Sequence, residues 1–215
     1  MSRRTWVVSG TDTGIGKTWL SIALCRALVD AGRSVAVRKP VESFDPSEGA
    51  TDSELLARAT GEERDAVCRP DWRYPRALAP PIAAAILDRP IPSTGRIVEQ
   101  LDGTDVDVLL VEGVGGPRSP LSADGDTVDL AHALSADDVI VISDSGLGAI
   151  SRVLLSVDAF APLTCRVLLN RYDHDDQLHR SNRDWLLNSG ISVHSDSDDL
   201  AKSFLISLDA PLEVR

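Results

Sequence analysis

The sequence is poor in several residue types, and each scarcity narrows the reading. Among 215 residues it has one methionine, nine aromatic residues (three Phe, two Tyr, four Trp), three cysteines and three lysines. No stretch approaches the roughly 20 apolar residues of a membrane-spanning helix, and no basic segment followed by an apolar core opens the chain. A soluble, cytoplasmic protein is expected. Positive charge is scarce too: 22 Lys and Arg face 33 Asp and Glu, a net charge of −11, which works against nucleic acid or an anionic membrane as partner. Cys25, Cys68 and Cys165 are odd in number and lack metal spacing, so buried, reduced thiols are expected. His132, His174, His179 and His194 show no paired ligand spacing.

What is present is a core and a motif. With 43% hydrophobic residues and no repeat, linker or low-complexity segment, the chain reads as one α/β domain over residues 1–215. Thr5-Trp6-Val7-Val8-Ser9 is an apolar strand, and Trp19, Leu20, Ile22, Ala23, Leu24, Ala27 and Leu28 have helical spacing. Between them lies Gly10-Thr11-Asp12-Thr13-Gly14-Ile15-Gly16-Lys17-Thr18, a phosphate-binding loop in the strand–loop–helix context that such a loop requires. Backbone N–H groups and the helix N-terminus favour an anion, Lys17 adds a mobile charge, and the Thr18 hydroxyl suits magnesium. A nucleoside triphosphate with magnesium is the expected ligand. The loop is a variant form: its first motif position is Thr11, and Gly10 lies one residue early.

Further along, Ser34–Val37 reads as a second strand ending at Lys39-Pro40, and Lys39 either shares phosphate duty with Lys17 or is a solvated strand-end lysine. Glu42–Ala50 reads as a mobile loop. Thr51 and Glu54 form a capping box that opens a helix, in which Asp52 either favours the helix dipole or reaches magnesium. Pro80-Pro81 starts an alanine-rich helix, and another is expected near 94–101. Asp107–Glu112 is a continuous apolar strand that delivers Glu112 and then a glycine loop, Gly113-Val114-Gly115-Gly116, placing an acid for magnesium or its bound water. Helices at 128–134 and 149–160 flank a strand at 138–143, whose loop, Asp144–Gly148, offers backbone amides for an anion such as a carboxylate. A strand from Thr164 ends at Asn170-Arg171, a helix carries Trp185, a weak strand follows at 191–193, and the tail holds a short helix at 200–208.

In this order, the loop 10–18, Lys39-Pro40-Val41 with Ser43, the Asp52 helix, Val111–Gly116, Leu147-Gly148-Ala149-Ile150 and the strand ending at Asn170 resemble the ATP-dependent dethiobiotin synthetases of the biotin pathway. The resemblance implies a P-loop fold with a mainly parallel sheet, related to the nitrogenase iron protein, in a cytoplasmic homodimer. It implies an ATP-dependent cyclo-ligase that joins CO2 to 7,8-diaminononanoate through a carbamate and a carbamic-phosphoric anhydride. Under it Lys17 and Lys39 meet the phosphates and the transferring phosphoryl. Thr13 and Ser43 bond the carbamate, and Thr18, Asp52 and Glu112 hold magnesium. Gly14, Ile15, Gly16, Lys17, Thr18 and Trp19 line the nucleotide site with Glu112, Gly113, Val114 and Gly115, while Asn170, with Arg171 beside it, reads the base. Leu147, Gly148, Ala149, Ile150 and Ser151 bind the distal substrate carboxylate across the dimer.

The chain departs from that pattern at Phe44, where glycine is usual, and at Pro80-Pro81-Ile82, which lacks a serine or histidine. Ser151 replaces a frequent asparagine, and Gly190-Ile191-Ser192-Val193 stands where Gly-x-[Ile/Leu]-Pro is usual. Three other readings compete. A cobyrinic acid amidating enzyme needs a glutaminase domain for which the length leaves no room. A partitioning-type nucleotide switch carries an extra early loop lysine where this chain has Thr11 to Thr13. A paralogous ligase on another substrate shares the whole motif set.

Overall fold

The computed structural model describes residues 3–209. Its elements follow the chain as β1 (Arg4–Gly10), α1 (Lys17–Asp30), β2 (Val35–Arg38), β3 (Glu42–Ser43), α2 (Asp52–Thr60), α3 (Arg64–Val67), a 3₁₀ turn (Pro70–Trp72), β4 (Arg73–Tyr74), α4 (Pro80–Ile86), α5 (Thr94–Leu101), β5 (Val108–Glu112), α6 (Thr127–Ala133), β6 (Asp138–Asp144), α7 (Ala149–Ala159), β7 (Cys165–Asn170), α8 (Gln177–Asn188), β8 (Ser192–His194) and α9 (Ser197–Asp209). The main sheet has the order β2-β5-β1-β6-β7-β8, and every pairing in it is parallel. Each successive pair of its strands is joined through at least one helix, as parallel pairing demands.

Both faces of this sheet are covered, which explains why its strands read as continuous apolar runs. On one side Val7, Leu109, Val111, Val139, Val141, Val167 and Leu169 meet side chains of α4 to α8, such as Ala83, Ile97, Val128, Val153 and Leu186. On the other, Trp6, Val8, Leu110, Ile140, Ile142 and Leu168 meet Leu20, Leu24 and Leu28 of α1, Leu56 of α2, and Leu200 and Phe204 of α9. The mainly parallel α/β architecture expected from the sequence is what forms.

Two expectations are corrected. Glu42–Ala50 is not loop throughout: Glu42 and Ser43 form β3, which pairs in parallel with β4, Glu42 opposite Arg73 and Ser43 opposite Tyr74. A two-residue strand has no periodicity to read, and its partner lies 31 residues on, in the proline-laden stretch. The tail also carries more than a short helix. α9 runs over 13 residues, packs Phe204 on Trp6 with ring centroids 4.2 Å apart, and places that ring 4.2 Å from the Arg166 guanidinium of β7. Arg166 donates from Nε to Asp138 Oδ1 (3.1 Å) and from its two terminal nitrogens to Ser203 Oγ (2.9 Å) and Ser207 Oγ (2.8 Å). By contrast, the capping box at Thr51 forms as read, the Thr51 side chain accepting from Glu54 N and the Glu54 carboxylate accepting from Thr51 N.

Phe204 is fully buried in the cluster beneath α1, so Phe204→Ala is expected to destabilise the protein by about 3–5 kcal/mol. A shift of the urea midpoint at unchanged slope measures it.

Candidate active site

Parallel packing brings the C-terminal ends of the strands to one edge, where open α/β sheets bind ligands. Four candidate segments lie there: the loop after β1, Lys39 after β2, Glu112 ending β5 and Asn170 ending β7. A cavity of about 660 Å³ opens at this edge. Thr13, Gly14, Gly16, Lys17, Thr18, Trp19, Lys39, Ser43, Asp52, Val114 and Gly115 all line it, and Glu42, Phe44, Leu78 and Pro80 are among its other wall residues. A smaller hollow of about 340 Å³ beside Arg69, Arg89 and Arg96 lies elsewhere. Its guanidinium groups are already bonded to Gln100, Glu99 and the carbonyls of Pro70, Asp71 and Arg73.

The phosphate-binding loop depends on two glycines. A Cβ on Gly10 would lie 2.5 Å from Ile15 Cγ2, so the early glycine lets the buried Ile15 side chain anchor the loop against the core. Gly16 stands at φ 113° as the N-cap of α1, and a Cβ there would lie 2.4 Å from Asn170 Nδ2. That amide donates to Ile15 O at 2.7 Å, and Asn170 Oδ1 accepts from Arg171 N at 2.9 Å. One Asn170 N–H thus holds the loop itself, a use its strand-end position did not reveal.

The charged centre is tight. Lys39 is 3% exposed, which rules out a solvated strand-end lysine. Its Nζ donates to Glu112 Oε1 at 2.8 Å and Gly113 O at 3.0 Å, and lies 2.9 Å from Asp52 Oδ2. Burial alone would lower the Lys39 pKa, but the Glu112 and Asp52 carboxylates outweigh it and hold the ammonium protonated well above the usual lysine range. Reciprocally, Lys39 depresses the Asp52 carboxyl against the opposing effect of burial. The Thr18 hydroxyl lies 2.8 Å from Asp52 Oδ1 and 2.9 Å from Glu112 Oε1, donating to one at a time. Asp52 therefore faces these groups as well as sitting at the start of α2.

Lys17 is the complement. Among the described residues its Nζ reaches only the carbonyls of Asp12 (3.1 Å) and Gly115 (2.9 Å), and burial, followed by the like charge of Lys39, pulls its pKa down to about 8. A buried cation without a carboxylate partner at contact favours an anion in the cavity beside it.

Other expected residues lie differently. Ser43 lines the cavity, but its hydroxyl donates to Leu78 O at 2.6 Å. Leu147, Gly148, Ala149, Ile150 and Ser151 are not among the residues lining their own chain's cavity, and Leu147 is 85% exposed at the start of α7. Ser21 escaped the sequence reading: fully buried on α1, it donates to Glu112 Oε2 at 2.8 Å and fixes that carboxylate from behind. The signal was a polar residue on the buried face of α1, four positions after Lys17.

This fold, with a glycine-bounded loop between β1 and α1, a lysine–threonine pair opening α1 and an acid ending a neighbouring strand, defines a P-loop nucleotide-binding protein. Solved structures with the same fold include a plasmid partition protein from Borrelia burgdorferi (TM-score 0.59, 12% identity, 96% of this chain and 100% of that one). A putative plasmid partition protein from the same organism, bound to AMPPNP, superposes with TM-score 0.55 at 13% identity over 99% of this chain and 93% of its own. At such identities the likeness concerns the fold alone. A family model described as "AAA domain" matches residues 4–188. The ATP-dependent dethiobiotin synthetase of Haloferax mediterranei is 34% identical over 181 residues, 82% of this chain and 76% of that protein. That of Caulobacter sp. is 40% identical over 169 residues, 74% and 71% of the two chains. The chain belongs to the ATP-dependent dethiobiotin synthetase family, and is an enzyme of the ATP-dependent ligase class.

The Gly16 geometry yields a direct test. Gly16→Ala is expected to weaken ADP binding by roughly 5- to 150-fold, the equivalent of about 1–3 kcal/mol of backbone strain. Gly95→Ala, where a Cβ meets nothing within 4 Å, is expected to leave it unchanged. Calorimetric titration of both variants checks the contrast.

Proposed function

We propose that this enzyme carboxylates 7,8-diaminononanoate with CO2 and closes the ring to dethiobiotin, converting ATP to ADP and phosphate, in biotin biosynthesis. The carrying observation is that two lysines, a hydroxyl and two carboxylates converge beside one cavity at the sheet edge, in a chain 34% and 40% identical to proteins of that name. The working unit is a cytoplasmic homodimer, each chain a single P-loop domain over residues 1–215, with small molecules and no nucleic acid or membrane as partners. Among the described residues no helix is long and apolar enough to cross a membrane.

The chemistry asks for charge and position rather than a covalent protein intermediate. One substrate amine adds to CO2 and loses a proton, giving a carbamate. A carbamate oxygen then attacks the γ-phosphorus and ADP leaves. The second amine attacks the carbonyl carbon of the carbamic-phosphoric anhydride, and phosphate leaves as the cyclic urea closes. Lys17 and the loop amides from Gly14 to Thr18 hold the β and γ phosphates. Lys39, kept protonated by its carboxylates, stabilises charge on the transferring phosphoryl and the carbamate, acting as a fixed cation and not as a proton donor. Thr13 bonds the carbamate. Ser43 has its proton on Leu78 O, so its lone pair accepts the carbamate N–H. Trp19, Gly113, Val114, Gly115, Asn170 and Arg171 complete the nucleotide site. Residues 147–151 serve the site of a second copy, where the first-turn amides of Ile150 and Ser151, next to the Ala149 N–H that Gly146 O already takes, meet the substrate's distal carboxylate.

Thr18, Asp52 and Glu112 would hold magnesium, which neutralises phosphate charge when bound. Their chemistry fits: the three offer oxygen donors, and two of them already surround the Lys39 ammonium. Among the described residues no group of three or more His, Cys, Asp or Glu gathers as a metal cage. Two carboxylates with phosphate oxygens make up the set that magnesium takes in such sites.

Purified protein given 7,8-diaminononanoate, bicarbonate and MgATP is expected to form dethiobiotin, read by mass. No product alongside intact nucleotide binding sinks the assignment in favour of a paralogous ligase. Lys39→Ala is expected to lower kcat by about 10²–10³-fold with the KM for ATP changed only a few-fold; a change confined to KM reassigns Lys39 to ground-state binding.

A further inference from the structure

Glu42 is a carboxylate that the proposed chemistry leaves without a task. It is 1% exposed, sits on β3 immediately before Ser43, and directs both oxygens at the start of α2. Glu42 Oε1 accepts from Ser53 N at 2.8 Å and Oε2 from Ser53 Oγ at 2.7 Å. Ser53 N belongs to the first turn of α2, where helix N–H groups have no partner within the helix. Glu42 therefore caps α2 from a distant strand, in addition to the local capping box of Thr51 and Glu54. Arg64 locks the same turn from the other side. It donates from Nε to Ser53 Oγ (3.0 Å), from Nη2 to Thr51 Oγ1 (3.0 Å) and from Nη1 to Glu54 Oε1 (2.7 Å), and its Nη2 lies 3.8 Å from Glu42 Oε2.

The residue between the two clamped positions is Asp52, whose oxygens meet Thr18 and Lys39. A carboxylate at the first turn of a nine-residue helix moves wherever that turn moves. Only a rigid turn keeps it within hydrogen-bond distance of Thr18 on α1 and Lys39 beyond β2. Burying a charged side chain such as Glu42 is unfavourable unless it is fully bonded. An apolar residue would fill the space but would leave Ser53 N–H without an acceptor.

We propose that Glu42 is a positioning residue that clamps the N-terminus of α2 to β3 and so sets the affinity of the Thr18–Asp52–Glu112 oxygens for a divalent cation. The inference rests on the magnesium assignment made above. Partners that orient a metal-binding carboxylate act on affinity without touching the ion.

The test measures ADP binding by calorimetry at a series of magnesium concentrations, for wild type, Glu42→Gln and Glu42→Ala. Glu42→Ala is expected to raise the half-saturating magnesium concentration about tenfold or more, with magnesium-free ADP affinity held within about twofold. Glu42→Gln retains an oxygen for Ser53 N–H and is expected to stay within about threefold of wild type. An alanine variant that leaves the magnesium dependence unchanged, or weakens ADP equally with and without magnesium, overturns the inference. If Glu42→Ala does not fold, Ser53→Ala removes one of the two bonds and is expected to shift magnesium half-saturation by about twofold in the same direction; no shift overturns the inference. A wild type whose ADP affinity ignores magnesium overturns the metal assignment itself, so the two failures give different readouts.

Discussion

Two opposite charges buried side by side, Lys39 after β2 and Glu112 at the end of β5, impose a condition on the whole sheet. A charge in a dry interior is costly by several kcal/mol, and each of these is offset first by the other, 2.8 Å away, and then by Asp52 and Gly113 O around the lysine and Thr18 and Ser21 around the glutamate. Their meeting is a matter of register. β2 and β5 pair with Arg38 opposite Val111, so the next residue on each strand is Lys39 and Glu112. A slip by one residue would separate the pair and turn the apolar side chains of β2 to the wrong faces. Correct pairing of the apolar interior and assembly of the charged centre are thus one event, and Ser21, Thr18 and Asp52 then attach α1 and α2 to the same carboxylate–ammonium group.

The parts of this arrangement that were readable in advance are those written locally. The strand–loop–helix around Lys17, the unbroken apolar run ending in Glu112, the Thr51–Glu54 box and the helix at 94–101 each advertise themselves within a dozen residues. The roles of Lys39 and Asp52 were half legible: their positions at element ends were plain, but only the three-dimensional register decides that the lysine is buried between two carboxylates. The role of Glu42 and the pairing of Glu42 and Ser43 with β4 were not readable, since two residues of strand carry no pattern and the partner sits beyond α2 and α3. Ser21, the second task of Asn170 and the reach of α9 failed for the same reason. Each acts on a residue that is far away in sequence, and no spacing rule encodes such a contact.

Charge is distributed with matching economy. In a chain of net charge −11, two of the three lysines are buried at the sheet edge, one fixed by carboxylates and one facing only carbonyls. That asymmetry sorts their work: the first is a charge already compensated, the second a charge in want of an anion. The negative net charge of the whole chain disfavours polyanions in general, so attraction for phosphate rests on local groups such as the buried Lys17 ammonium.

The docking of α9 on α1 has a consequence for how the protein is made. α1 carries the phosphate loop at its start, and its inner face meets the sheet and α9 together, with Trp6 and Phe204 in contact across that layer. On the ribosome the first residue of α9 follows the first residue of α1 by 180 positions, the difference between 197 and 17, an interval on the order of ten to forty seconds of synthesis. Throughout that time the nascent β1–α1 unit exposes the apolar surface that Phe204 and Leu200 later cover. The nucleotide loop, the earliest part of the site to be translated, is therefore among the last to gain its full support.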